Sequence, residues 1–259
     1  MPVQNIMSNH TANMIEIFSS IQGEGLLVGV RQAFLRFHGC SLDCYYCDSG
    51  TTRIASIPKF CQIESTPGRQ DFAEVLNPVS IEYIKELLSK WVSQLPNAHH
   101  SISLTGGEPL LHVEQLLKYL PEWREILPIY LETNGIHFFE LSKCIDFLDY
   151  ISMDFKLPST TKSHAYWEEH RKFLEIAAQS DVYVKIVVSK ETPISEIRKT
   201  CEIIVSVNRS IPLIIQPMTT SNGIDTIPYL SLFEFQEEAC SHLKEVRIIP
   251  QTHKFMQLL

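Results

Sequence analysis

The sequence lacks the features that mark membrane and disulfide-stabilised proteins. It contains no run of 18 apolar residues, the length that a membrane-spanning helix needs. It carries no secretory signal peptide. Its seven cysteines are an odd number, so a complete set of disulfides would leave one thiol over. We therefore expect a cytoplasmic protein with no membrane partner and no disulfide framework.

An excess of positive charge is also absent. Lysine and arginine number 22 against 30 aspartates and glutamates, a formal net charge of −8. Nucleic-acid-binding proteins present basic surfaces to the phosphate backbone, so we expect no nucleic-acid partner. The chain has no internal repeat, and 259 residues suffice for one barrel-sized core. We predict a single domain over residues 1–259.

Cysteine is concentrated in one short segment. Cys40, Cys44 and Cys47 lie within eight residues. Three thiolates on one loop can ligate three irons of a 4Fe-4S cluster and leave the fourth iron open to another ligand. A zinc site would need a fourth protein ligand. His38 is near enough in sequence, but it ends a strand-like run, so we interpret it as a strand-end side chain. A non-catalytic metal-binding module remains the alternative.

A glycine pair follows the cysteines along the chain. Gly106 and Gly107 come after the apolar run 101–104 and before a helix-like pattern. Paired glycines at a strand end let the backbone approach a ligand and present bare amides to it. Alone they would indicate only a turn. The Cys-x3-Cys-x2-Cys triplet and this motif, in this order, resemble the signatures of radical S-adenosylmethionine (SAM) enzymes, in which SAM chelates the open iron.

Strand and helix patterns alternate along the rest of the chain. Strand-like runs occur at 129–132, 150–154, 182–188, 212–216 and 246–249, and helix-period segments lie near 80–95, 110–120, 138–147, 163–179, 194–207 and 228–242. Such alternation predicts parallel βαβ units with the site at the carboxyl ends of the strands. We predict an α/β fold, a partial (β/α)6-type barrel with an N-terminal extension. Residues 53–79 interrupt the rhythm, and we interpret them as an insertion, either a lid or a dimer contact.

Polar residues precede the cluster loop. Gln22 and Glu24 stand among glycines in a loop that offers donors and acceptors to a heterocycle. Arg36, four residues before the first cluster cysteine, offers a bidentate fork for a carboxylate. A surface turn and a solvated arginine would explain either feature taken alone.

Together these residues closely resemble the 7-carboxy-7-deazaguanine synthase family of radical SAM enzymes. The resemblance runs nearly end to end, through 21–25, 36–49, 105–109, 132–135, 153–156, 216–218 and 250–254. It implies a carbon-nitrogen lyase of queuosine- and archaeosine-type biosynthesis, which contracts 6-carboxy-5,6,7,8-tetrahydropterin to 7-carboxy-7-deazaguanine and releases ammonia. It also implies a 4Fe-4S cluster, SAM and Mg²⁺ as cofactors, a homodimer, and flavodoxin or ferredoxin as electron donor. The alternative is an activase that makes a glycyl radical on a partner protein.

The resemblance also assigns roles to residues, none of them as a catalytic acid, base or nucleophile. It implies these sets: cluster ligands Cys40, Cys44 and Cys47; the magnesium ligand Ser49, where relatives usually have threonine; substrate contacts Ile21, Gln22, Gly23, Glu24, Arg36, Thr105, Gln216 and Leu259; and SAM contacts Gly106, Gly107, Glu108, Ser152, Asp154 and Lys156. The chain departs from many relatives at 154–156, where Asp-Phe-Lys replaces Ser-Pro-Lys.

Overall fold

A mostly parallel sheet flanked by helices forms the body of the molecule. The computed structural model describes residues 11–47, 49–53, 56–220, 223–224 and 227–258. The strands are β1 (Thr11–Ala12), β2 (Met14–Ile21), β3 (Arg31–Phe37), β4 (Phe60–Glu64), β5 (Phe72–Leu76), β6 (Val79–Ser80), β7 (Ser101–Gly106), β8 (Ile129–Thr133), β9 (Tyr150–Asp154), β10 (Asp181–Val188), β11 (Leu213–Pro217), β12 (Thr219–Thr220), β13 (Gly223–Ile224) and β14 (Val246–Ile248). The helices are α1 (Ile81–Gln94), α2 (Val113–Arg124), α3 (Phe138–Cys144), α4 (Pro158–Thr161), α5 (Trp167–Ala177), α6 (Ile194–Asn208), α7 (Tyr229–His242) and α8 (Thr252–Phe255).

The strand order confirms the predicted partial barrel. The ten-stranded sheet runs β14-β11-β10-β9-β8-β7-β3-β2-β4-β5, and every neighbouring pair from β3 to β14 is parallel. In the described chain this is one parallel strand more than six units require. Helices connect successive strands from β7 onward, so the carboxyl ends of the parallel strands open on the same side.

The helices pack as their apolar periodicity predicts. In α1, Ile84, Leu88 and Trp91 recur at helical spacing and are buried against the sheet. The Ser80 side chain accepts a hydrogen bond from the amide of Tyr83 at 3.2 Å, and it thereby caps the first turn. None of the helices in the described part of the chain combines the length and the apolar character that crossing a membrane requires.

The 53–79 segment contains a hairpin that extends the sheet. β4 pairs in parallel with β2, and β5 pairs antiparallel with β4. The buried carboxylate of Glu64 fastens the hairpin, because it accepts hydrogen bonds from the amides of Ser19, Gly68 and Gln70 at 2.7–2.9 Å. The hairpin therefore lies at the sheet edge opposite β14. Its role as lid or dimer contact stays a prediction.

Candidate active site

One cavity of about 480 Å³ lies at the carboxyl ends of the parallel strands. Its wall contains nearly every residue that the sequence assigned to a ligand: Ile21, Gln22, Gly23, Glu24, Arg36, Cys40, Cys44, Cys47, Ser49, Thr105, Gly106, Gly107, Ser152, Asp154, Lys156 and Gln216. Glu108 is absent from the wall, and Leu259 lies outside the described residues. The fold thus brings together segments that are far apart along the chain.

The cysteine loop forms one side of the cavity. Cys44 is buried, Cys40 and Cys47 are half-buried, and all three thiols are free. Burial raises the pKa of the Cys40 and Cys44 thiols. Within the described ranges, no three His, Cys, Asp or Glu side chains converge on a point that one metal ion would occupy. A cubane cluster takes one thiolate per iron, so its ligands do not converge in that way, and the loop is compatible with it.

The glycine motif is fastened directly to the chain that enters the cysteine loop. The Gly107 amide donates to the Phe37 carbonyl at 3.2 Å, and the Glu108 amide donates to the Gly39 carbonyl at 2.7 Å. A Cβ atom at Gly107 would lie 1.8 Å from the Gly39 oxygen, and Gly106 has a φ of +120°. Only glycine permits this approach of two backbones. The two motifs therefore form a single wall.

Glu108 lies behind that wall. Its side chain is fully buried and accepts hydrogen bonds from the Leu110 amide at 3.2 Å, the Thr133 hydroxyl at 2.9 Å and the Asn134 amide at 2.8 Å. Burial raises the pKa of its carboxyl group. The Glu108 side chain therefore holds the loop after β8 in place, and its direct contact with SAM stays a prediction.

A hydrogen-bonded group of polar side chains surrounds Glu132, which sequence reasoning did not assign. Gln22 Nε2 donates to Glu132 Oε1 at 2.7 Å, and the Thr105 hydroxyl donates to Glu132 Oε2 at 2.7 Å. Burial, with the nearby Glu24 carboxylate, raises the pKa of Glu132. The sequence signal was the polar run at the end of β8. Glu132 fixes Gln22 and Thr105, two predicted substrate contacts, relative to each other.

Two lysines and two carboxylates form a charged group in the cavity wall. Lys156 Nζ lies 2.8 Å from Asp154 Oδ2, and Lys185 Nζ lies 3.4 Å from the same oxygen. Lys185 also pairs with Glu24 Oε2. Burial alone would raise the pKa of Asp154, but the two ammonium groups outweigh it and hold that pKa below its ordinary value. Lys185, a lysine within an apolar strand, was missed because its partners lie far away in sequence.

Arg36 and Ser49 meet in a corner beside the cysteine loop. Arg36 Nη1 donates to Ser49 Oγ at 2.9 Å, and Arg36 Nε donates to Glu16 Oε1 at 2.6 Å. The guanidinium carbon lies 5.4 Å from the centre of the Phe18 ring. Arg36 is thus held by a carboxylate and an aromatic face at the cavity wall, which orients it for an anionic ligand.

A C-terminal segment covers the loop that carries Gln22 and Glu24. Gln251 Nε2 donates to Glu24 Oε1 at 2.6 Å, and the Thr252 amide donates to the Gly23 carbonyl at 2.9 Å. His253 packs so closely on Gly23 that a Cβ atom there would lie 2.3 Å from His253 Nδ1. The sequence resemblance over 250–254 pointed to this segment without showing what it touches.

The residues present fit an iron-sulfur cluster and SAM. Three free thiols and a bare glycine backbone share one wall. Two buried acceptors in the lining, Asp154 Oδ1 and Gln216 Oε1, have no hydrogen-bond partner among the described residues. Buried acceptors without partners are costly unless a ligand satisfies them. The cavity is therefore built to receive hydrogen-bond donors.

A second cavity of about 470 Å³ lies at the other end of the barrel. It shares no lining residue with the first. The buried hydroxyl groups of Tyr130 and Tyr183 lie 2.6 Å apart. Their side chains pack with Ile214, and Leu26 and Leu27 pack against this group. Tyr130 and Tyr183 line this second cavity and are not part of the wall of the first.

Comparison with known proteins agrees with the geometry. A sequence model of the radical SAM superfamily matches residues 34–204. The 7-carboxy-7-deazaguanine synthase of Geobacter sulfurreducens is 49% identical over 96% of this chain and 99% of its own length. The enzyme of that name from Methanocaldococcus jannaschii is 33% identical over 94% and 99%. The crystal structure of QueE from Escherichia coli matches with a TM-score of 0.56 and 17% identity, covering 94% of this chain and 95% of that one.

The structural match at 17% identity supports the fold. The two sequence matches span nearly the full length of both chains. At 49% and 33% identity, they support membership of the same family as well as the same fold. The chain belongs to the 7-carboxy-7-deazaguanine synthase family of the radical SAM superfamily.

Proposed function

We propose that the protein converts 6-carboxy-5,6,7,8-tetrahydropterin to 7-carboxy-7-deazaguanine with release of ammonia, as a radical SAM carbon-nitrogen lyase. The observation that carries this proposal is the single cavity that joins the cysteine loop to an oriented arginine and to a polar, hydrogen-bonding wall. A glycyl-radical activase would need access for a protein segment, and it has no use for the Arg36 corner or for the group around Glu132.

The substrate would be held at two ends. Arg36, already oriented by Glu16, would bind the carboxylate. Gln22 and Thr105, fixed by Glu132, would face the ring, whose edge carries both donors and acceptors. The unpartnered Gln216 Oε1 adds an acceptor for a ring N–H. Holding both ends fixes the position of the carbon from which hydrogen is removed.

The chain would hold its cofactors with the residues described above. When bound, the reduced cluster and SAM supply a radical that removes hydrogen from the substrate, chemistry that belongs to the cofactors. The thiolates of Cys40, Cys44 and Cys47 would ligate the cluster. The backbone at Gly106 and Gly107, with the Asp154 and Lys156 side chains, would position SAM.

Ser49 would donate its hydroxyl oxygen to Mg²⁺, a cofactor of this family. Its hydroxyl lines the cavity next to Arg36, so the ion and the guanidinium would both contact the substrate carboxylate. Magnesium prefers hard oxygen ligands and keeps several waters, so one protein ligand suffices. We expect Ser49→Ala to lose most of the stimulation by added Mg²⁺ and Ser49→Thr to retain it. Equal stimulation of parent and Ser49→Ala would rule out this role.

Two further partners belong to this proposal. A second copy of the chain would cover apolar side chains exposed at the start of α7, where Tyr229, Leu230 and Phe233 each expose more than half of their surface. An electron-transfer protein, flavodoxin or ferredoxin, would reduce the cluster. Sedimentation of the parent against Phe233→Ser tests the first partner, and replacement of a chemical reductant by either protein tests the second.

The function is tested by anaerobic reconstitution with iron and sulfide, followed by substrate challenge. We expect the carboxypterin to yield ammonia and the absorbance of a deazapurine. A glycine-containing peptide should yield neither product nor a protein radical. Each single alanine variant of Cys40, Cys44 and Cys47 should keep the parental circular dichroism spectrum and lose SAM cleavage. Deazapurine formation by any of the three would contradict the assignment.

A further inference from the structure

Lys185 lies in the cavity wall between the carboxylates of Glu24 and Asp154. Strand β10 pairs with β9 so that Lys185 lies in register with Asp154. Side chains in register on neighbouring parallel strands lie on the same face of the sheet, here the face that lines the cavity. The Lys185 ammonium group reaches Asp154 Oδ2 at 3.4 Å on one side and Glu24 Oε2 on the other. Only 9% of its side chain is exposed.

The partners of Lys185 belong to different ligands. Asp154 ends the strand proposed to contact SAM, and its Oδ1 atom is a buried acceptor without a partner among the described residues. Glu24 belongs to the loop proposed to contact the pterin, and Gln251 holds its other oxygen. Lys156 also holds Asp154 Oδ2, at 2.8 Å. Lys185 is therefore the one described cation that contacts both carboxylates.

We propose that Lys185 is a positioning residue that sets the pterin loop relative to the SAM-contacting strand, by bridging the carboxylates of Glu24 and Asp154. The inference rests on the proposed function and deepens it. Without the ammonium group, the half-buried carboxylates of Glu24 and Asp154 would share one small site with Lys156 alone. The loss of one partner from a buried ion pair leaves an uncompensated charge, which relaxes by protonation or by movement. Lys156 still holds Asp154, so the movement falls on Glu24 and its loop.

We expect that variants without this ammonium group bind the pterin more weakly and cleave SAM without forming product. Lys185→Met should raise the pterin Kd at least about tenfold, the scale of a lost charge-assisted contact in a closed site. SAM affinity should change by less than about threefold, because Lys156 remains paired with Asp154. Among turnovers that still occur, the amount of SAM cleaved per deazapurine formed should rise at least about fivefold, since a displaced substrate is out of reach of the radical.

The experiment compares the parent, Lys185→Met, Lys185→Gln and Lys185→Arg, with Lys199→Met as a matched control on the exposed surface of α6. Calorimetric titration gives both Kd values for each protein, and anaerobic assays at saturating ligands give SAM cleavage and deazapurine formation. If Lys185→Met does not fold, Lys185→Gln decides, because it removes the positive charge and keeps a hydrogen-bond donor. Lys185→Arg, which keeps the charge, should stay within about twofold of the parental cleavage ratio.

The outcomes separate the two proposals. A parent that binds the carboxypterin and forms no deazapurine overturns the proposed function, and this inference falls with it. A productive parent together with a neutral Lys185 variant of unchanged pterin Kd and unchanged cleavage ratio overturns the inference alone. A variant that only melts at a lower temperature overturns it as well, because a purely structural lysine lowers stability without changing the coupling. A raised ratio in Lys185→Gln with a parental ratio in Lys199→Met supports it.

Discussion

Acid should destabilise this protein through one buried histidine, His170. The imidazole lies on α5, fully buried, and packs against Phe155 with ring centres 4.0 Å apart and the ring planes tilted by 37°. Its Nε2 lies 3.2 Å from the Asn134 carbonyl, whereas its buried Nδ1 has no partner among the described residues. Burial lowers the pKa of His170 from 6.5 to about 3. The imidazole is therefore neutral in the folded protein over the whole physiological range.

The sign and size of the effect follow from proton linkage. Between pH 6.5 and pH 3 the unfolded chain holds a proton on this histidine that the folded chain lacks, so the free energy of unfolding decreases as the pH falls. The slope approaches about 1.4 kcal/mol per pH unit, which integrates to about 2 kcal/mol between pH 7 and pH 5. A change of this size is a large share of the roughly 5–15 kcal/mol typical of folded domains.

Urea titrations of cluster-free parent and His170→Gln at pH 7 and pH 5 measure this contribution. Glutamine keeps a donor for the Asn134 carbonyl and does not titrate, so the variant should be less stable at pH 7 but lose about 2 kcal/mol less than the parent on acidification. His99, whose pKa burial lowers to about 4, titrates in both proteins and cancels in the comparison. Equal losses in parent and variant would refute the reasoning.

Three further predictions concern the cavity wall. Gly107→Ala should weaken SAM binding more than about tenfold in calorimetry, because its Cβ atom would overlap the Gly39 carbonyl oxygen; unchanged affinity would show that the wall is not rigid. Glu108→Gln should lower the free energy of unfolding by about 1–3 kcal/mol in urea titrations. Both Glu108 oxygens accept hydrogen bonds, one from the Thr133 hydroxyl and one from the Asn134 amide, and a glutamine side chain has only one acceptor oxygen. Parental stability would contradict the buried-acceptor role. Arg36→Lys should raise the pterin Kd more than about tenfold and leave SAM binding unchanged, because an ammonium group lacks the fork; an unaltered pterin Kd would remove Arg36 from the substrate site.

Sequence periodicity predicted the barrel well because each βα unit carries its own local signal. The strand predicted at 150–154 matches β9, and the helix predicted near 194–207 matches α6 to within one residue. The 53–79 segment gave no such signal. Its hairpin depends on pairing with β2 and on Glu64, whose partner Ser19 lies on β2, 45 positions away along the chain.

The sequence predicted the site residues that belong to local motifs. It did not predict those that meet only through the register of the sheet. The cysteines, the glycine pair and Arg36 are local patterns. Lys185 and Glu24 are 161 positions apart, and they meet only because the fold places β10 next to the loop that carries Gln22 and Glu24. Glu108 was assigned to SAM because it stands in the glycine motif, yet the chain turns at Pro109 and directs the side chain into the core. The direction of a side chain after a turn depends on tertiary packing that the motif does not encode.

The Tyr130 and Tyr183 pair lines the second cavity, so the first cavity alone collects the residues assigned to SAM and to the pterin. Both ligands would then share that cavity, whose wall includes Gln251. Two occupants of one cavity must follow an order wherever one covers the other: the inner molecule enters first and leaves last. An outer product that lingers would then hold the spent inner one in place, and turnover would be limited by release.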